Sequence, residues 1–183
     1  MYRRKCYDKL LAWKRGSRGK SALLIEGARR VGKTTLVRAF AQNEYADYLY
    51  IDFSAASPTT LELFRNYRED VDTFLRMLQL EYGKQLKRRD SVIIFDEVQR
   101  FPLARECVKH LVEDGRFDYI ETGSLVSLRK NVADIVIPSE EDRIELNPMD
   151  FEEYLWACGL DIYADEEPAR ACSRSPTACT PKS

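Results

Sequence analysis

Short apolar runs alternate with helix-spaced apolar residues along about the first 160 positions of this chain. Two runs, 22–25 and 92–95, are apolar at every position, as in a strand buried on both faces. Further strands are expected at 48–53, from Tyr119 onward, and at 143–146. Strands that alternate with helices favour a parallel sheet covered by helices. The pattern therefore predicts an α/β fold of three layers, with a mainly parallel sheet of about five strands.

Helical spacing fills the segments between these strands. The first helix is expected to end in the turn at 16–19, and a later one at Gly115. The last begins with Asp150 and Glu153, the pattern of a capping box. The segments with helical spacing are Cys6 to Trp13, Leu36 to Phe40, Val71 to Leu86, Leu103 to Leu111, and the one that begins at Asp150.

A glycine-rich motif follows the first apolar run. Residues 27–34 read Gly-Ala-Arg-Arg-Val-Gly-Lys-Thr and fit G-x-x-x-x-G-K-[ST] in full, the signature of the P-loop NTPase fold. Glycines allow the loop to wrap closely, so that backbone N–H groups and a helix N-terminus face phosphate. We expect Lys33 to neutralise the β- and γ-phosphates of ATP and Thr34 to bind Mg²⁺. The predicted nucleotide-binding residues are Gly27, Ala28, Arg29, Arg30, Val31, Gly32, Lys33, Thr34 and Thr35.

Two adjacent acids, Asp96 and Glu97, follow the second apolar run. Strand ends of this kind lie where ligands bind in open α/β sheets. We expect Asp96 to hold Mg²⁺ through water. Glu97, pointing to the opposite side of the strand, is expected to orient or deprotonate the attacking water. Alone, the pair fits a turn after a core strand equally well, but the phosphate loop upstream favours the catalytic interpretation.

The second acid also favours ATP hydrolysis over phosphate transfer to a metabolite. P-loop kinases of small molecules generally lack such a water-activating base. In addition, the strand at 48–53 falls between the two motifs along the chain. Both features are similar to the class in which an extra strand separates the phosphate-loop strand from the Asp-Glu strand.

Several weaker candidates lie near these motifs or further along the chain. Thr122 is the first candidate for a sensor of the γ-phosphate and Ser124 the second, although a plain turn explains them about as well. Asp52 either faces the same cleft or caps the end of its strand. The candidates for an arginine that stabilises the transition state are Arg116, Arg129 and Arg143. Gln99 is a weaker candidate for a residue that assists the reaction.

Composition restricts the partners only slightly. With 29 Lys and Arg against 30 Asp and Glu, the net charge of −1 calls for neither nucleic acid nor a membrane. Basic residues crowd the first 20 positions, where a solvated helix face is favoured over a phosphate contact. No apolar stretch is long enough to span a bilayer. The five cysteines form no CxxC pair, so we expect a reducing cytoplasmic location, with Cys107 and Cys158 as small core residues.

Together these blocks resemble the AAA-type P-loop ATP-binding proteins of bacteria and archaea. The resemblance is carried by residues 9–13, 23–34, 51–54, 94–99, 119–124 and 147–155. It implies an AAA-like ATPase core at 21–160, after a basic amphipathic helix at 1–20. It also places Lys33, Thr34, Asp96 and Glu97 at the family's nucleotide and metal positions.

The family normally continues into a C-terminal domain, which residues 161–183 do not resemble. We expect these residues to form a disordered tail, whether native or the product of a truncated or shifted reading frame. A helical lid would then be missing, which predicts slow hydrolysis in a switch or motor core. The alternatives are a nucleotide-binding module without turnover that acts through a partner, and a nucleic-acid-linked ATPase. A homo-oligomer or a protein partner stays open.

Overall fold

The computed structural model describes residues 3–124 and 141–160 of the 183-residue chain. The helices in these ranges are α1 (Cys6–Ser17), α2 (Lys33–Glu44), α3 (Pro58–Tyr67), α4 (Val71–Glu81), α5 (Leu103–Asp114) and α6 (Phe151–Ala157). The strands are β1 (Ala22–Gly27), β2 (Asp47–Asp52), β3 (Ser91–Asp96), β4 (Asp118–Ser124) and β5 (Glu141–Glu145), with a 3-10 turn at Val98–Arg100. The expected tail at 161–183 and Arg129 lie outside the described residues.

The five strands form one sheet in the order β2-β3-β4-β1-β5, and each of its pairings is parallel. The predicted fold class is thereby confirmed. An extra strand does separate the phosphate-loop strand β1 from the Asp-Glu strand β3, but that strand is β4. The strand between the two motifs in the sequence, β2, lies at the sheet edge instead. Because the strands are parallel, their C-terminal ends share one edge, here called the carboxyl edge; the other is the amino edge.

Helices cover both faces of the sheet and make three layers. On one face, Leu24, Phe95 and Tyr119 pack under α3, α4 and α5, where phenylalanines such as Phe64 and Phe74 meet edge to face at 4.8 Å. The other face packs against α1 and α2. Its core residues include Leu10, Leu23, Ile25, Phe40 and Ile94. Successive side chains of a strand point to opposite faces of the sheet. Both faces are covered, which is why the two wholly apolar runs are buried on both sides.

Helix α3 has no counterpart among the segments predicted from helical spacing. Its start carries a recognisable signal, since Pro58 occupies the first turn and the Ser57 hydroxyl accepts from the Thr60 N–H at 3.0 Å. Helix α4 ends at Glu81 rather than extending to Leu86. Leu86 is nevertheless buried, because the chain folds back there after the helix.

The C-terminal part of the core confirms one detail and corrects another. Asp150 and Glu153 form the predicted capping box of α6. Cys107 is fully buried, but Cys158 is exposed, because it follows the end of a helix that buries little more than Glu153. Within the residues described, no helix is long and apolar enough to cross a membrane.

One ionic cluster is buried beside β4. Glu121, which is 0% exposed, lies 3.6 Å from the Arg105 guanidinium of α5. The same guanidinium pairs with Glu141 of β5 at 2.5 Å. Two carboxylates therefore share one cation. Burial raises the pKa of Glu121 to about 8, although Arg105 opposes that shift.

This pKa predicts how the stability of the protein depends on pH. The folded state keeps a proton on Glu121 that the unfolded chain releases near the ordinary value of 4.5. Its contribution to folding stability is full below pH 4.5 and is lost as pH rises toward 8. Glu121→Gln stays neutral, so its unfolding free energy relative to wild type should rise by up to about 4 kcal/mol between pH 5 and pH 8.5. Urea denaturation at both pH values measures this difference. Glu106→Gln, at an exposed position of α5, is the control, and a difference for Glu121→Gln as flat as the control's contradicts the prediction.

Candidate nucleotide-binding site

The loop between β1 and α2 has the backbone shape that its glycines predict. Gly32 precedes the first residue of α2 with φ of +94°, a left-handed conformation that glycine adopts at little cost. A Cβ on Gly27 would lie 2.2 Å from the backbone oxygen of Leu146, which leaves no room for a side chain. The loop is therefore pressed against the segment after β5, and the first turn of α2 follows it directly.

Lys33 lies at the centre of this loop. Its side chain is almost buried, and its Nζ donates to the backbone oxygens of Gly27 at 3.1 Å and Ala28 at 2.8 Å. Burial lowers the pKa of Lys33, whereas the nearby carboxylates of Glu97 and Asp96 raise it. A cation held against carbonyl oxygens can exchange them for the oxygens of an anion that enters the loop.

Asp96 is the centre of a hydroxyl network at the end of β3. Only 2% of Asp96 is exposed, and one carboxylate oxygen accepts from Thr34 at 2.8 Å and from the Tyr50 hydroxyl. The other oxygen accepts from Thr122. Burial, and then Asp96 itself, raise the pKa of Tyr50, which keeps that hydroxyl a donor. Within the described ranges, no Lys, Arg or His forms an ion pair with Asp96.

Glu97 does not point to the opposite side of the strand from Asp96. The strand ends at Asp96, and Glu97 turns into a left-handed conformation with φ of +58°, so both carboxylates line the same cleft. Such a backbone costs about 1–3 kcal/mol outside glycine and occurs most often at functional sites. Neighbours hold it there: the Glu97 N–H donates to Thr122 Oγ1 at 3.3 Å, and the Gln99 amide donates to the Glu97 carboxylate.

The cleft at the carboxyl edge has a volume of about 380 Å³. Asp52 faces it and also accepts from the Ser54 N–H at 2.8 Å, so both interpretations of Asp52 hold. The lining residues are Arg29, Arg30, Thr34, Tyr50, Asp52, Ser54, Asp96, Glu97 and Arg100. The site thus combines carboxylates and hydroxyls on the strand ends with three guanidinium groups.

The predicted arginines are not the ones in the cleft. Arg116 lies at the amino edge, before β4, where Asp114 at 2.7 Å and Asp72 at 2.8 Å pair with it. Arg143 lies within the edge strand β5 and pairs with Glu141. The arginine that the sequence reasoning missed is Arg100, whose position three residues after Glu97 was the available signal. Tyr50 was missed as well, because only the pairing of β2 with β3 brings it to Asp96.

A second pocket of about 250 Å³ opens on the other side of the loop. Arg4, which is 7% exposed, donates to the backbone oxygens of Val31 at 3.0 Å and Asn147 at 2.7 Å. It also pairs with Glu153 at 3.2 Å, so the N-terminal segment ties the loop to α6. The residues that line this pocket are Arg4, Arg30, Val31, Gly32, Thr35, Leu36 and Met149. Thr35 thus faces the second pocket and not the main cleft.

The donor set at Asp96 suits Mg²⁺ that arrives with a nucleotide. A hydroxyl and a carboxylate offer hard oxygen ligands, which Mg²⁺ prefers. Across residues 3–124 and 141–160, no three His, Cys, Asp or Glu side chains gather into a metal site of their own. A magnesium ion here would need further oxygens from phosphate and water, which is its usual arrangement in ATPase sites.

Comparisons with known proteins bear on the family and the fold of this chain. A family model described as an AAA domain matches residues 19–155. The structure of Drosophila ORC bound to DNA is similar, with 10% identity over 79% of this chain and 89% of that chain and a TM-score of 0.51, which shows a shared fold. C. elegans PCH-2 (12% identity, 83% and 43% of the two chains, TM-score 0.44) and Pif1 helicase from Candida albicans (12%, 84% and 42%, 0.46) are also similar. This chain spans less than half of each of these two. No curated protein sequence matches it.

The close contact at Gly27 yields a test of the loop. Gly27→Ala must push the Leu146 carbonyl away, which should cost about 1–3 kcal/mol of stability, as overpacking does. The melting temperature should fall by several degrees, and calorimetry should show weaker ATP binding. Gly16→Ala is the matched control, because its new Cβ meets nothing within 4 Å. Equal melting temperatures and equal ATP affinities for the two variants would contradict the role given to this contact.

Proposed function

The chain belongs to the AAA domain family, and on that premise we propose that it binds ATP with Mg²⁺ at the carboxyl edge and hydrolyses it slowly. The observation that carries the proposal is the buried carboxylate of Asp96, which receives hydroxyl donors but forms no ion pair among the described residues. Burying a carboxylate is costly when no cation pairs with it directly, and Lys33 acts on Asp96 only from beyond ion-pair distance. A cation delivered with the nucleotide removes that cost.

The phosphate loop supplies the binding energy for the triphosphate. The N–H groups of the first turn of α2 point toward the loop, as they do at helix N-termini that bind anions. Lys33 leaves its carbonyl partners for the β- and γ-phosphate oxygens. Arg29 and Arg100 line the cleft and place two further positive charges around the phosphates. Arg30 borders both the cleft and the second pocket, so it lies where the two meet.

Thr34 and Asp96 hold the magnesium ion, Thr34 through its hydroxyl and Asp96 through water. The bound ion neutralises phosphate charge that develops during hydrolysis. In the nucleotide-free arrangement Thr34 donates to Asp96 at 2.8 Å, so the two ligands already face each other. Tyr50 holds the same carboxylate from the side of β2 and fixes its orientation.

Glu97 orients the attacking water and accepts its proton. Thr122 contacts both acidic residues, since its hydroxyl donates to Asp96 and accepts from the Glu97 N–H. Thr122 is therefore proposed to sense the γ-phosphate indirectly. Loss of that phosphate would shift Asp96 or Glu97, and Thr122 would respond through its hydrogen bonds to both. Gln99 donates to the Glu97 carboxylate and helps to fix its orientation.

The nucleoside part of ATP lies in the second pocket. Val31, Leu36 and Met149 give this pocket apolar walls for a planar ring, and Arg4 closes it. Most small-molecule sites combine such walls with few polar groups. Residues 147–153 thereby become part of the nucleotide site, although they lie far from the motif in sequence.

Binding without turnover is the second candidate function. It is favoured by the hydrogen bond from Gln99, which engages the Glu97 carboxylate that has to accept the proton of water. A module of this kind would act through a protein partner when nucleotide binds. Replacement of Glu97 separates the two functions.

Glu97→Gln should keep ATP binding and lose hydrolysis. The amide has the size and polarity of the acid but does not accept a proton, and the loss of a general base lowers rates by about 10²–10⁴. Phosphate release under saturating Mg-ATP measures turnover, and calorimetry measures affinity, which should stay within about threefold of wild type since the contacts to phosphate persist.

Lys33→Ala is the matched control and should lose both binding and turnover. Phosphate release from Glu97→Gln at the wild-type rate would assign the base to another residue. If wild type and Glu97→Gln release phosphate no faster than Lys33→Ala while both bind ATP, the chain is the binding module.

A further inference from the structure

Five exposed cations gather at the amino edge of the sheet, opposite the nucleotide cleft. They come from two segments, the end of α1 with the turn that follows it and the turn before β3. The group, here called the basic edge, consists of Arg15, Arg18, Lys20, Lys87 and Arg88, all exposed. In the sequence these two segments are almost 70 positions apart, so only the fold brings them together.

Arg89 joins the two segments. A Cβ on Gly19 would lie 1.9 Å from Arg89 Nη1, so the guanidinium covers the Gly19 backbone. Asp118 pairs with Arg89 at 3.0 Å. Arg89 is thus neutralised and structural. This contact brings the turn that carries Lys87 and Arg88 to the turn that carries Arg18 and Gly19.

The five cations of the basic edge have no carboxylate partner among the described residues. Across residues 3–124 and 141–160, none of them forms an ion pair within 4.0 Å of a carboxylate. Other cations of the surface do, for example Lys84 with Asp47 at 2.7 Å and Lys5 with Asp150 at 2.7 Å. The buried Asp118 carboxylate already pairs with Arg89, so it does not neutralise the basic edge. Even with the exposed Asp90 in the second segment, the two segments carry an excess of positive charge on a chain whose net charge is −1.

The structure divides the basic residues of the N-terminal segment into those with structural partners and those without. Arg4 ties the phosphate loop, Lys5 pairs with acids of the α6 cap, and Lys14 lies over the Tyr45 ring at 3.8 Å. These three have structural partners. The remaining cations at the end of α1 gain Lys87 and Arg88 as neighbours, which the sequence does not suggest.

The chemistry of the basic edge fits phosphates better than a protein surface. None of the large exposed hydrophobic side chains of the described chain falls within 15–20 or 84–90. Protein interfaces depend on buried aromatic and apolar anchors. Phosphate-backbone contacts need only Lys, Arg and polar groups. We propose that the basic edge binds the phosphate backbone of nucleic acid without reading its sequence.

This surface is independent of the nucleotide cleft. The two lie at opposite edges of the same parallel sheet, so nucleic acid and ATP can be bound at the same time. The inference does not rest on the proposed ATPase activity and would survive its failure.

Fluorescence anisotropy of a labelled 20-base-pair duplex, and of one of its strands, tests the proposal. Wild-type protein should bind in 50 mM salt, and affinity should fall steeply as salt rises. With four or five phosphates neutralised, the slope of log K against log salt should be about −4 for the duplex, since each contact contributes about −0.9.

Arg18→Glu/Arg88→Glu should weaken binding about tenfold or more at 50 mM salt and make the slope shallower by about 2. Arg76→Glu/Lys109→Glu is the matched control, with the same charge change at exposed positions outside the basic edge. ATP affinity and melting temperature should be unchanged in both double variants, which shows that each is folded. Absence of binding by wild type at 50 mM salt would overturn the proposal, as would equal weakening in the two double variants.

Discussion

The buried carboxylate of Asp96 is the constraint on which the site depends. A nearly inaccessible negative charge is costly unless donors and a cation compensate it. Thr34, Tyr50 and Thr122 supply hydroxyl donors from α2, β2 and β4. These donors reach Asp96 because β3 lies between β2, which carries Tyr50, and β4, which carries Thr122. Thr34 reaches it from the start of α2, which follows β1 on the far side of β4. The strand order and the hydroxyl network are therefore one arrangement, and it holds Asp96 beside the phosphate loop, where Lys33 is the nearby cation.

The rest of the fold holds that arrangement rigid. Wholly apolar strands have helices packed on both faces, so the strand ends cannot shift independently. The contact of Gly27 with the Leu146 backbone and the bonds from Arg4 to Val31 and Asn147 hold the phosphate loop from the other side. The energy stored in the left-handed backbone at Glu97 is sustained by this packing. Two opposite edges of one sheet then carry different chemistry, carboxylates and hydroxyls at one and, at the other, cations that form no ion pair among the described residues.

The sequence was informative where a function resides in contiguous residues. The loop at 27–34 and the pair Asp96 and Glu97 follow apolar strands, so motif and context agree within a few positions. Of the residues that strand pairing brings to Asp96, Thr122 was a candidate because small polar residues end its strand, whereas Tyr50 was not found. The predicted direction of the Glu97 side chain was wrong. Side chains stop alternating between the two faces where the backbone leaves the strand and becomes left-handed at Glu97. The basic edge escaped notice for the same reason as Tyr50, since its two halves meet only in the folded sheet.

The central claim is that the cleft at Asp96 takes ATP together with a magnesium ion. Calorimetric titration of the wild-type chain with ATP, once with Mg²⁺ and once with EDTA, tests this most directly. The account predicts one ATP per chain and an affinity at least about tenfold higher with Mg²⁺, because Thr34 and Asp96 would hold the ion beside the phosphates and so offset the negative charge on both sides. Equal affinity in Mg²⁺ and EDTA, or no binding in either, would contradict it.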